Sequence, residues 1–157
     1  MTNATRVTVG VISDTHGLLR PEALAALDGC EHIIHAGDVG SPQILAQLRA
    51  LAPTTVVRGN VDTASWAMSL PLTDVVEIGS LHFYVLHDLA ALDLDPKAAG
   101  LAAVISGHTH RPAADVRNGV LYLNPGSAGP RRFKLPIALA RLEVVSGRIS
   151  HRIIELG

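Results

Sequence analysis

The sequence predicts an α/β fold in a single domain that spans residues 1–157. In the first half of the chain, apolar strands alternate with helices, and a strand followed by a polar turn recurs three times. In the second half, paired β-prone runs flank tight turns. Hydrophobic residues make up 48% and aromatic residues 3% of the 157 residues, so we expect an aliphatic core of a size that one domain can bury.

Three strands and two helices are predicted in the first half. Residues 7–12 are branched and apolar, which is typical of a strand buried on both faces. Pro21 suits the first turn of a helix that extends to about residue 27. Ser41 is a good N-cap before Pro42, and the apolar residues that follow have helical spacing. The other two strands are predicted at residues 32–36 and 56–57.

The second half is predicted to be mainly β-structure. Gly79-Ser80 joins strands at 73–78 and 81–86 as a two-residue hairpin. Asn118-Gly119 predicts a second hairpin, whose outgoing strand leads into Asn124. The remaining predicted elements are a short helix at 95–99, a buried strand at 103–106 and a terminal strand pair at 137–145 and 148–154.

Seven polar residues follow five separate apolar strands. All are oxygen or imidazole donors: Asp14, His16, Asp38, Asn60, His87, His108 and His110. The carboxyl ends of strands in an α/β sheet deliver such residues into one crevice. Seven donors are too many for one tetrahedral ion and suit two ions that share a carboxylate. Because the set contains no thiolate, it favours Mn, Fe, Zn or a similar metal.

The charge of this residue set indicates an anionic substrate. Two divalent cations carry four positive charges, of which the carboxylates of Asp14 and Asp38 neutralise two. The centre therefore stays electropositive, attracts phosphate, and lowers the pKa of a bridging water so that hydroxide is present at neutral pH.

The overall composition gives no reason to expect generic binding to nucleic acids or membranes, because the net charge is −1. Cys30 is the one cysteine, so an internal disulfide is excluded. The N-terminus lacks the pattern of a signal peptide, and no window approaches the ~20 apolar residues of a membrane span. We therefore expect a small phosphoester substrate and a cytoplasmic location. The pattern of apolar residues is compatible with a monomer and with a homo-oligomer.

Five short motifs occur in a characteristic order: Asp14-x-His16, Gly37-Asp38, Gly59-Asn60, His87 and Gly107-His108-Thr109-His110. The ordered set resembles the signature of the calcineurin-like metallophosphoesterases over nearly the whole chain. Asn124-Pro125-Gly126-Ser127 is similar to the small bacterial and archaeal branch of YfcE-like and MJ0936-like phosphodiesterases. The resemblance implies a four-layer α-β-β-α sandwich with a binuclear metal site along one edge.

The resemblance also implies a metal-binding role for each donor. The first ion would be held by Asp14, His16 and His110, and the second by Asn60, His87 and His108, with Asp38 as the bridge. Manganese is the expected metal, and Ni, Zn, Fe and Mg are the alternatives.

The implied activity is that of a phosphodiesterase in which a bridging hydroxide attacks phosphorus. Asp38, Asn60 and His108 are then the catalytic residues. Substrate contacts are assigned to Asn60, Asn124 and Arg131.

Val61 and Asp88 depart from the family's pattern. Val61 stands where many relatives carry a histidine that protonates the leaving group, so we expect a modest enzyme that favours leaving groups of low pKa. Asp62 keeps the place of the carboxylate that orients that histidine, and is expected to hold a metal-bound water or a ligand imidazole. Asp88 follows His87 where relatives commonly have glycine, and it reduces the positive charge of the centre.

Two other functions fit the same resemblance. The retromer subunit of the superfamily serves mainly as a protein-interaction scaffold, but that branch is degraded at its histidines, whereas this chain has every expected ligand. A phosphomonoesterase would differ only in how its pocket receives a terminal phosphate.

Several polar residues have a structural interpretation beside a functional one. His35 is expected to be structural, with support of a metal ligand as the alternative. Asn124 and Ser127 are expected to tighten a turn near the site, with a phosphate contact as the alternative. The basic cluster Arg131, Arg132 and Lys134 is expected to be a solvated loop, with phosphate or nucleotide guidance as the alternative.

Overall fold

The protein consists of two five-stranded β-sheets that share one apolar core. The computed structural model describes residues 6–157. In chain order the strands are β1 (Arg6–Ile12), β2 (His32–His35), β3 (Thr54–Val56), β4 (Thr73–Ile78), β5 (Leu81–Leu86), β6 (Ala103–Ile105), β7 (Ala113–Arg117), β8 (Val120–Asn124), β9 (Ala138–Val145) and β10 (Arg148–Glu155).

The first sheet has the strand order β10-β9-β1-β2-β3. Strands β1, β2 and β3 are parallel, whereas β9 and β10 run antiparallel to them as the predicted terminal pair. Helices α1 (Pro21–Leu27) and α2 (Pro42–Leu51) cover the outer face of this sheet through Leu27, Ile44 and Leu48, which pack on Ile33 and Leu139. The Ser41 hydroxyl accepts a hydrogen bond from Gln43 N, as predicted for the N-cap of α2.

The second sheet has the strand order β4-β5-β6-β8-β7. Strands β5, β6 and β8 are parallel, so the residues that follow β5 and β6 emerge at one edge, as do those that follow β1, β2 and β3 in the first sheet. The two predicted hairpins are β4–β5 and β7–β8.

The core between the sheets is aliphatic, as the composition predicts. Fully buried side chains of both sheets meet there, among them Val11, Ile34, Val85, Ile105 and Leu142. Phe83 is the largest of the buried side chains in this layer. The predicted α/β sandwich is thus confirmed, with the helices outside the first sheet.

The outer layer over the second sheet is irregular. A 3-10 helix at Leu89–Ala91 and the turns that follow pack on Tyr84, Leu86 and Val104. The predicted helix at residues 95–99 is wrong, because these residues form turns. The Asp95 carboxylate accepts hydrogen bonds from the amides of Lys97 and Ala98, and a segment of this length is too short to sustain a helix by itself.

Smaller differences concern the ends of predicted elements. Strand β2 stops at His35, one residue earlier than predicted, and β3 covers Thr54–Val56 instead of 56–57. A 3-10 helix at Ser65–Ser69 was not predicted. Among residues 6–157, no helix is long and apolar enough to cross a membrane.

Candidate metal centre

Five of the predicted donors adopt an uncommon backbone conformation. The φ angles are 54° at Asp14, 48° at His16, 57° at Asp38, 73° at His108 and 64° at His110. The left-handed region costs a residue with a side chain roughly 1–2 kcal/mol. Such strain persists where the surrounding structure enforces it, and it clusters at functional sites.

Asp14 is fully buried and presents one carboxylate oxygen to the site. Its Oδ2 accepts hydrogen bonds from Ser13 Oγ at 2.7 Å and from the His108 amide at 3.1 Å. Its Oδ1 has no hydrogen-bond partner and lies 3.4 Å from His110 Nε2, 3.7 Å from His16 Nε2 and 3.9 Å from His87 Nε2. Because a buried carboxylate oxygen without a partner is costly, this atom fits a bound cation.

Asp38 repeats this arrangement from the second strand of the same sheet. Its Oδ1 accepts a hydrogen bond from the Val61 amide at 3.0 Å. Its Oδ2 lies 3.2 Å from His87 Nε2 and 3.7 Å from His16 Nε2. Each aspartate therefore uses one oxygen to anchor the side chain and turns the other towards the histidines.

His87 is oriented by a backbone carbonyl. Its Nδ1 donates to the Ala36 carbonyl at 2.8 Å, so Nε2 is the nitrogen that faces the carboxylates. This Nε2 is buried and has no hydrogen-bond partner. Gly37 makes the close approach feasible, because a Cβ at this residue would lie 2.7 Å from His87 Nδ1.

The donors form two overlapping groups that fit two cations. One group is Asp14, His16 and His110, and the other is Asp14, Asp38 and His87; within each group the ligand atoms lie within 4.8 Å of one another. Asp14 is common to both groups, although the resemblance implied Asp38 as the shared residue. His16 Nε2 and His110 Nε2 are 3.3 Å apart, which suits two imidazoles that coordinate one ion.

Asn60 and His108 lie at the exposed rim of the second group. Asn60 Oδ1 is 3.2 Å from His108 Nδ1, and the His108 ring meets the His87 ring edge-on with centroids 5.2 Å apart. Among the histidines and carboxylates of residues 6–157, His108 lies outside the two compact groups. The Asp88 carboxylate approaches the other side of His108, with Oδ2 3.8 Å from Nε2, while its Oδ1 caps the 3-10 helix Leu89–Ala91.

The electrostatic environment keeps both aspartates ionised. Burial opposes ionisation of Asp14, but His16, Ser13 and the charge of His87 lower its pKa below the usual value. The pKa of Asp38 is lowered in the same way, against its burial, by His87 and the Val61 amide. Two ionised carboxylates among histidines form a binding site for divalent cations.

Asp62 has a different role from the predicted one. Its carboxylate accepts hydrogen bonds from the backbone amides of Gly59 at 2.9 Å, Gly40 at 3.0 Å and Val39 at 3.2 Å. These bonds occupy the carboxylate, so it does not hold a ligand imidazole. Asp62 instead joins the loop after β2 to the loop after β3.

Asn124 supports the loop that carries His108 and His110. Its Nδ2 donates to the Gly107 carbonyl at 2.9 Å and to Thr109 Oγ1 at 3.1 Å, and its Oδ1 accepts from the Gly126 amide at 2.9 Å. Because the buried side chain is bonded within the protein, Asn124 has the structural role that was expected of it, and its position does not support the substrate contact that was also assigned to it.

Ser127 also has the predicted structural role. Its hydroxyl donates to the Asp14 carbonyl at 2.9 Å. It thereby ties the turn after β8 to the backbone of a candidate metal ligand.

Arg131 is exposed and lines a separate cavity of about 370 Å³ with Lys134 and Glu155. The arginine that influences the centre is Arg132. Burial is the main reason for the lowered pKa of His110, and the charge of Arg132 adds to it. The predicted substrate contact of Arg131 is therefore not supported by its position.

Sequence reasoning missed Ser13 and Thr15, which flank the first aspartate. Ser13 holds Asp14, and Thr15 Oγ1 donates to the Val39 carbonyl at 2.9 Å while it contacts His35 Nε2 at 2.9 Å. His35 Nδ1 in turn accepts from the Gly37 amide at 3.1 Å. The sequence feature that could have identified them is their position beside Asp14. Hydroxyl residues at strand ends are too common for this position alone to indicate a role.

A two-sheet α/β sandwich with paired carboxylates and histidines at one edge defines a class of metal-dependent hydrolases. Residues 7–147 match the model of the calcineurin-like phosphoesterase superfamily domain, and the chain belongs to this superfamily. Among curated relatives, the probable metallophosphoesterase MJ0623 of Methanocaldococcus jannaschii is 38% identical over 132 residues, which cover 76% of this chain and 67% of that protein. Phosphodiesterase MJ0936 of the same organism is 28% identical over 75% of this chain and 82% of its own.

Solved structures share the fold. A structure described as that of a novel archaeal phosphodiesterase matches with a TM-score of 0.80 and 24% identity, over 96% of this chain and 100% of the other. Vacuolar protein sorting 29 from Cryptosporidium parvum matches with a TM-score of 0.78 and 20% identity, over 96% and 97% of the two chains. At these identities the likeness establishes the architecture alone.

Proposed function

We propose that this protein is a phosphodiesterase that uses two divalent cations, with manganese as the first candidate and Ni, Zn, Fe and Mg as the others. The observation that carries the proposal is the arrangement of two carboxylate oxygens. Asp14 Oδ1 and Asp38 Oδ2 face the Nε2 atoms of the histidines at 3.2–3.9 Å while their other oxygens are anchored to the protein.

In this proposal each donor has a stated role. The first cation is held by Asp14, His16 and His110, and the second by Asn60, His87 and His108. Asp38 would be shared by the two, because its Oδ2 lies 3.7 Å from His16 Nε2 and 3.2 Å from His87 Nε2. Asp14 Oδ1, 3.9 Å from His87 Nε2, would offer a second carboxylate oxygen to the second site.

Two bound divalent cations supply hydroxide at neutral pH and stabilise negative charge on a phosphate. The residues of the chain then position the substrate and its charges. Asn60 is exposed beside His108, and its amide NH2 group is the donor that it offers to a phosphate oxygen. His87 is held by the Ala36 carbonyl and Asp38 by the Val61 amide, so His87 Nε2 and Asp38 Oδ2 face each other at 3.2 Å.

Protonation of the leaving group is the weak step of the proposed reaction. Val61 has its side chain 45% exposed at the rim, and its amide is used by Asp38. A valine side chain cannot donate a proton, and general acid catalysis is typically worth ~10²–10⁴-fold. We therefore expect efficient hydrolysis only where the leaving group is stable as an anion, as an aryl oxide is.

We prefer diester hydrolysis to the two alternatives, a phosphomonoesterase and a protein-interaction scaffold. Diester cleavage is supported by the name of the 28% identical relative, phosphodiesterase MJ0936. A scaffold function similar to that of vacuolar protein sorting 29 does not require the anchored carboxylates and oriented histidines of this chain. The proposed compartment is the cytoplasm, where the free thiol of buried Cys30 stays reduced.

The test is hydrolysis by metal-stripped protein after reconstitution with Mn, Ni, Zn or Mg. The substrates are an aryl phosphodiester, an alkyl phosphodiester and an aryl phosphomonoester. We expect turnover of the aryl diester, slower turnover of the monoester, and little turnover of the alkyl diester. A protein that stays inactive with every metal would favour the scaffold, and faster turnover of the monoester would favour a phosphomonoesterase.

Asp38→Asn is the matching variant, and we expect it to lose more than nine-tenths of the activity because it weakens both cation sites. The control is Asp74→Asn, which changes an exposed aspartate on β4 in the same way. Retention of more than a tenth of the wild-type rate in Asp38→Asn would contradict the bridging role. The control should keep full activity.

A further inference from the structure

A groove of about 390 Å³ opens directly from the metal centre. Asn60, His87 and His108 form its inner end, so a molecule in the groove touches the second cation site. Its walls beyond that point carry the apolar side chains of Leu72, Tyr84, Leu86 and Ala91. Leu72 is 61% exposed, although leucine is usually buried.

The charges of the groove favour an uncharged group beyond the phosphate. Asp88 and Asp93 contribute two carboxylates and Arg58 contributes one guanidinium, so the charged walls have a net negative charge. A second phosphate in the groove would be repelled by that charge. An apolar group would instead bury surface against Leu72, Leu86 and Ala91.

The volume suits a ring. An apolar cavity of roughly 150 Å³ holds benzene, so the groove has room for an aryl group together with the atoms that link it to phosphorus. Val61 supports the same conclusion independently, because a site without an acid at this position requires a leaving group of low pKa. The groove and the missing acid thus point to the same kind of ester.

We propose that the groove selects phosphodiesters in which one substituent is uncharged, apolar and about the size of an aryl ring. This inference rests on the proposed phosphodiesterase function and adds its substrate class. A phosphomonoester lacks the substituent that would fill the groove. A polynucleotide would bring further phosphates towards Asp88 and Asp93.

The test compares diphenyl phosphate with dimethyl phosphate as competitors of a chromogenic aryl phosphodiester in initial-rate assays, where a competing substrate and a competitive inhibitor both give an inhibition constant. Both compounds are monoanions, so the difference between their inhibition constants reports on their apolar substituents. We expect diphenyl phosphate to inhibit the metal-reconstituted enzyme at a concentration about tenfold lower, or lower still, as the burial of one ring implies. Similar inhibition constants for the two compounds would overturn the proposal.

Leu72→Glu and Ala91→Trp test the groove itself. The first places a carboxylate on one wall, and the second fills the space with an indole. In either variant we expect the inhibition constants of dimethyl phosphate and diphenyl phosphate to differ by about threefold or less. The inhibition constant of dimethyl phosphate itself should change much less than that of diphenyl phosphate. Val116→Glu is the matched control, because Val116 is 63% exposed on β7 and does not line the groove. An unchanged ratio in both groove variants would overturn the proposal.

Failure of the groove and failure of the proposed function give different results. An active enzyme without preference for diphenyl phosphate would contradict the groove alone. If the protein is inactive with every metal, titration of Zn²⁺-loaded protein with diphenyl phosphate still tests the groove. Shifts of the amide NMR signals of Thr73 and Ala91 that are absent with dimethyl phosphate would support it, and unchanged signals would overturn it.

Discussion

At the residue scale, the candidate ligands are held by the backbone as much as by their side-chain contacts. Five donors have positive φ, and the amide of His108 is bonded to Asp14 Oδ2. In this conformation the polar side chains turn towards one another at the sheet edge. The expected consequence is a local cost in stability that glycine would remove.

His108 allows this cost to be measured. In metal-free protein, we expect His108→Gly to be more stable than His108→Ala by about 1 kcal/mol, because alanine keeps the left-handed strain at φ 73° and glycine does not. Urea unfolding of both variants in the presence of a chelator measures the difference.

The control pair is Arg111→Gly and Arg111→Ala. Arg111 is exposed and has a negative φ, so alanine should be the more stable replacement there. The same order of stability at both positions would show that the backbone at His108 is not strained.

His35 shows how a buried ionisable group supports the centre without binding a cation. Burial lowers the pKa of His35 from 6.5 to about 4. Its Nδ1 accepts the Gly37 amide, so a proton on that nitrogen would break the bond. The His35 imidazole is therefore neutral in the folded state, whereas in the unfolded chain the same imidazole takes up a proton below pH 6.5.

We expect the His35 contribution to stability to be complete above pH 6.5 and to decline as the pH falls towards 4. Between pH 7 and pH 5 this amounts to about 2 kcal/mol. The measurement is the free energy of unfolding in urea at both pH values, with chelator, for the wild type and for His35→Gln. The wild type should lose about 2 kcal/mol more than the variant, while His82→Gln, a change at a half-exposed histidine, should behave as the wild type.

At the scale of elements, polar side chains bind the backbone of the loops that follow the strands. Asp62 joins the loops after β2 and β3, and Asn124 holds the loop after β6. Ser127 connects the turn after β8 to the loop after β1. The loops that carry the donors thus form a connected layer along one edge of both sheets.

Asn124→Ala tests that layer. We expect the variant to lose about 1–3 kcal/mol of stability, because the buried Gly107 carbonyl and Gly126 amide lose their partner. The measurement is urea unfolding of metal-free protein.

Gln47→Ala, an exposed replacement within α2, is the control and should be nearly neutral. Equal stability of Asn124→Ala and the control would show that the loop does not depend on Asn124.

At the scale of the whole molecule, the centre is built from both sheets. Asp14 and Asp38 follow strands of the first sheet, whereas His87, His108 and His110 follow strands of the second. A cation that binds both sets links the two halves of the sandwich, and it binds the folded state in preference to the unfolded chain. Metal binding is therefore coupled to folding.

We expect saturation with Mn²⁺ or Zn²⁺ to raise the free energy of unfolding by about 2.7 kcal/mol at a concentration one hundred times the dissociation constant. Thermal unfolding with metal and with chelator measures this difference. Ca²⁺, which prefers oxygen ligands, should have much less effect because the site contains four imidazoles. Identical unfolding with Mn²⁺, Zn²⁺ and chelator would contradict a metal centre.

Much of the architecture was predictable from local patterns. Each of these patterns determines the structure of residues that are adjacent in the sequence, as do the apolar strands, Pro21, Ser41 and the Asn118-Gly119 turn. Such local effects can be predicted from the sequence directly. The segment at 95–99 was mispredicted because it is too short to sustain a helix by itself, and the Asp95 carboxylate binds the amides of Lys97 and Ala98 in a turn. The role of Asn124 was open because two of its three partners, Gly107 and Thr109, lie 17 and 15 residues away.

The sequence by itself determined the family and the aliphatic α/β core, and it indicated the seven candidate donors, because these depend on residue type and order along the chain. Only the tertiary structure decided which oxygen of each aspartate is anchored and that Asp14 reaches both histidine groups. It also decided that Asp62 and Asn124 form hydrogen bonds to the backbone and that an apolar groove adjoins the centre. These features depend on distances between side chains from separate loops, which are set when the two sheets pack together.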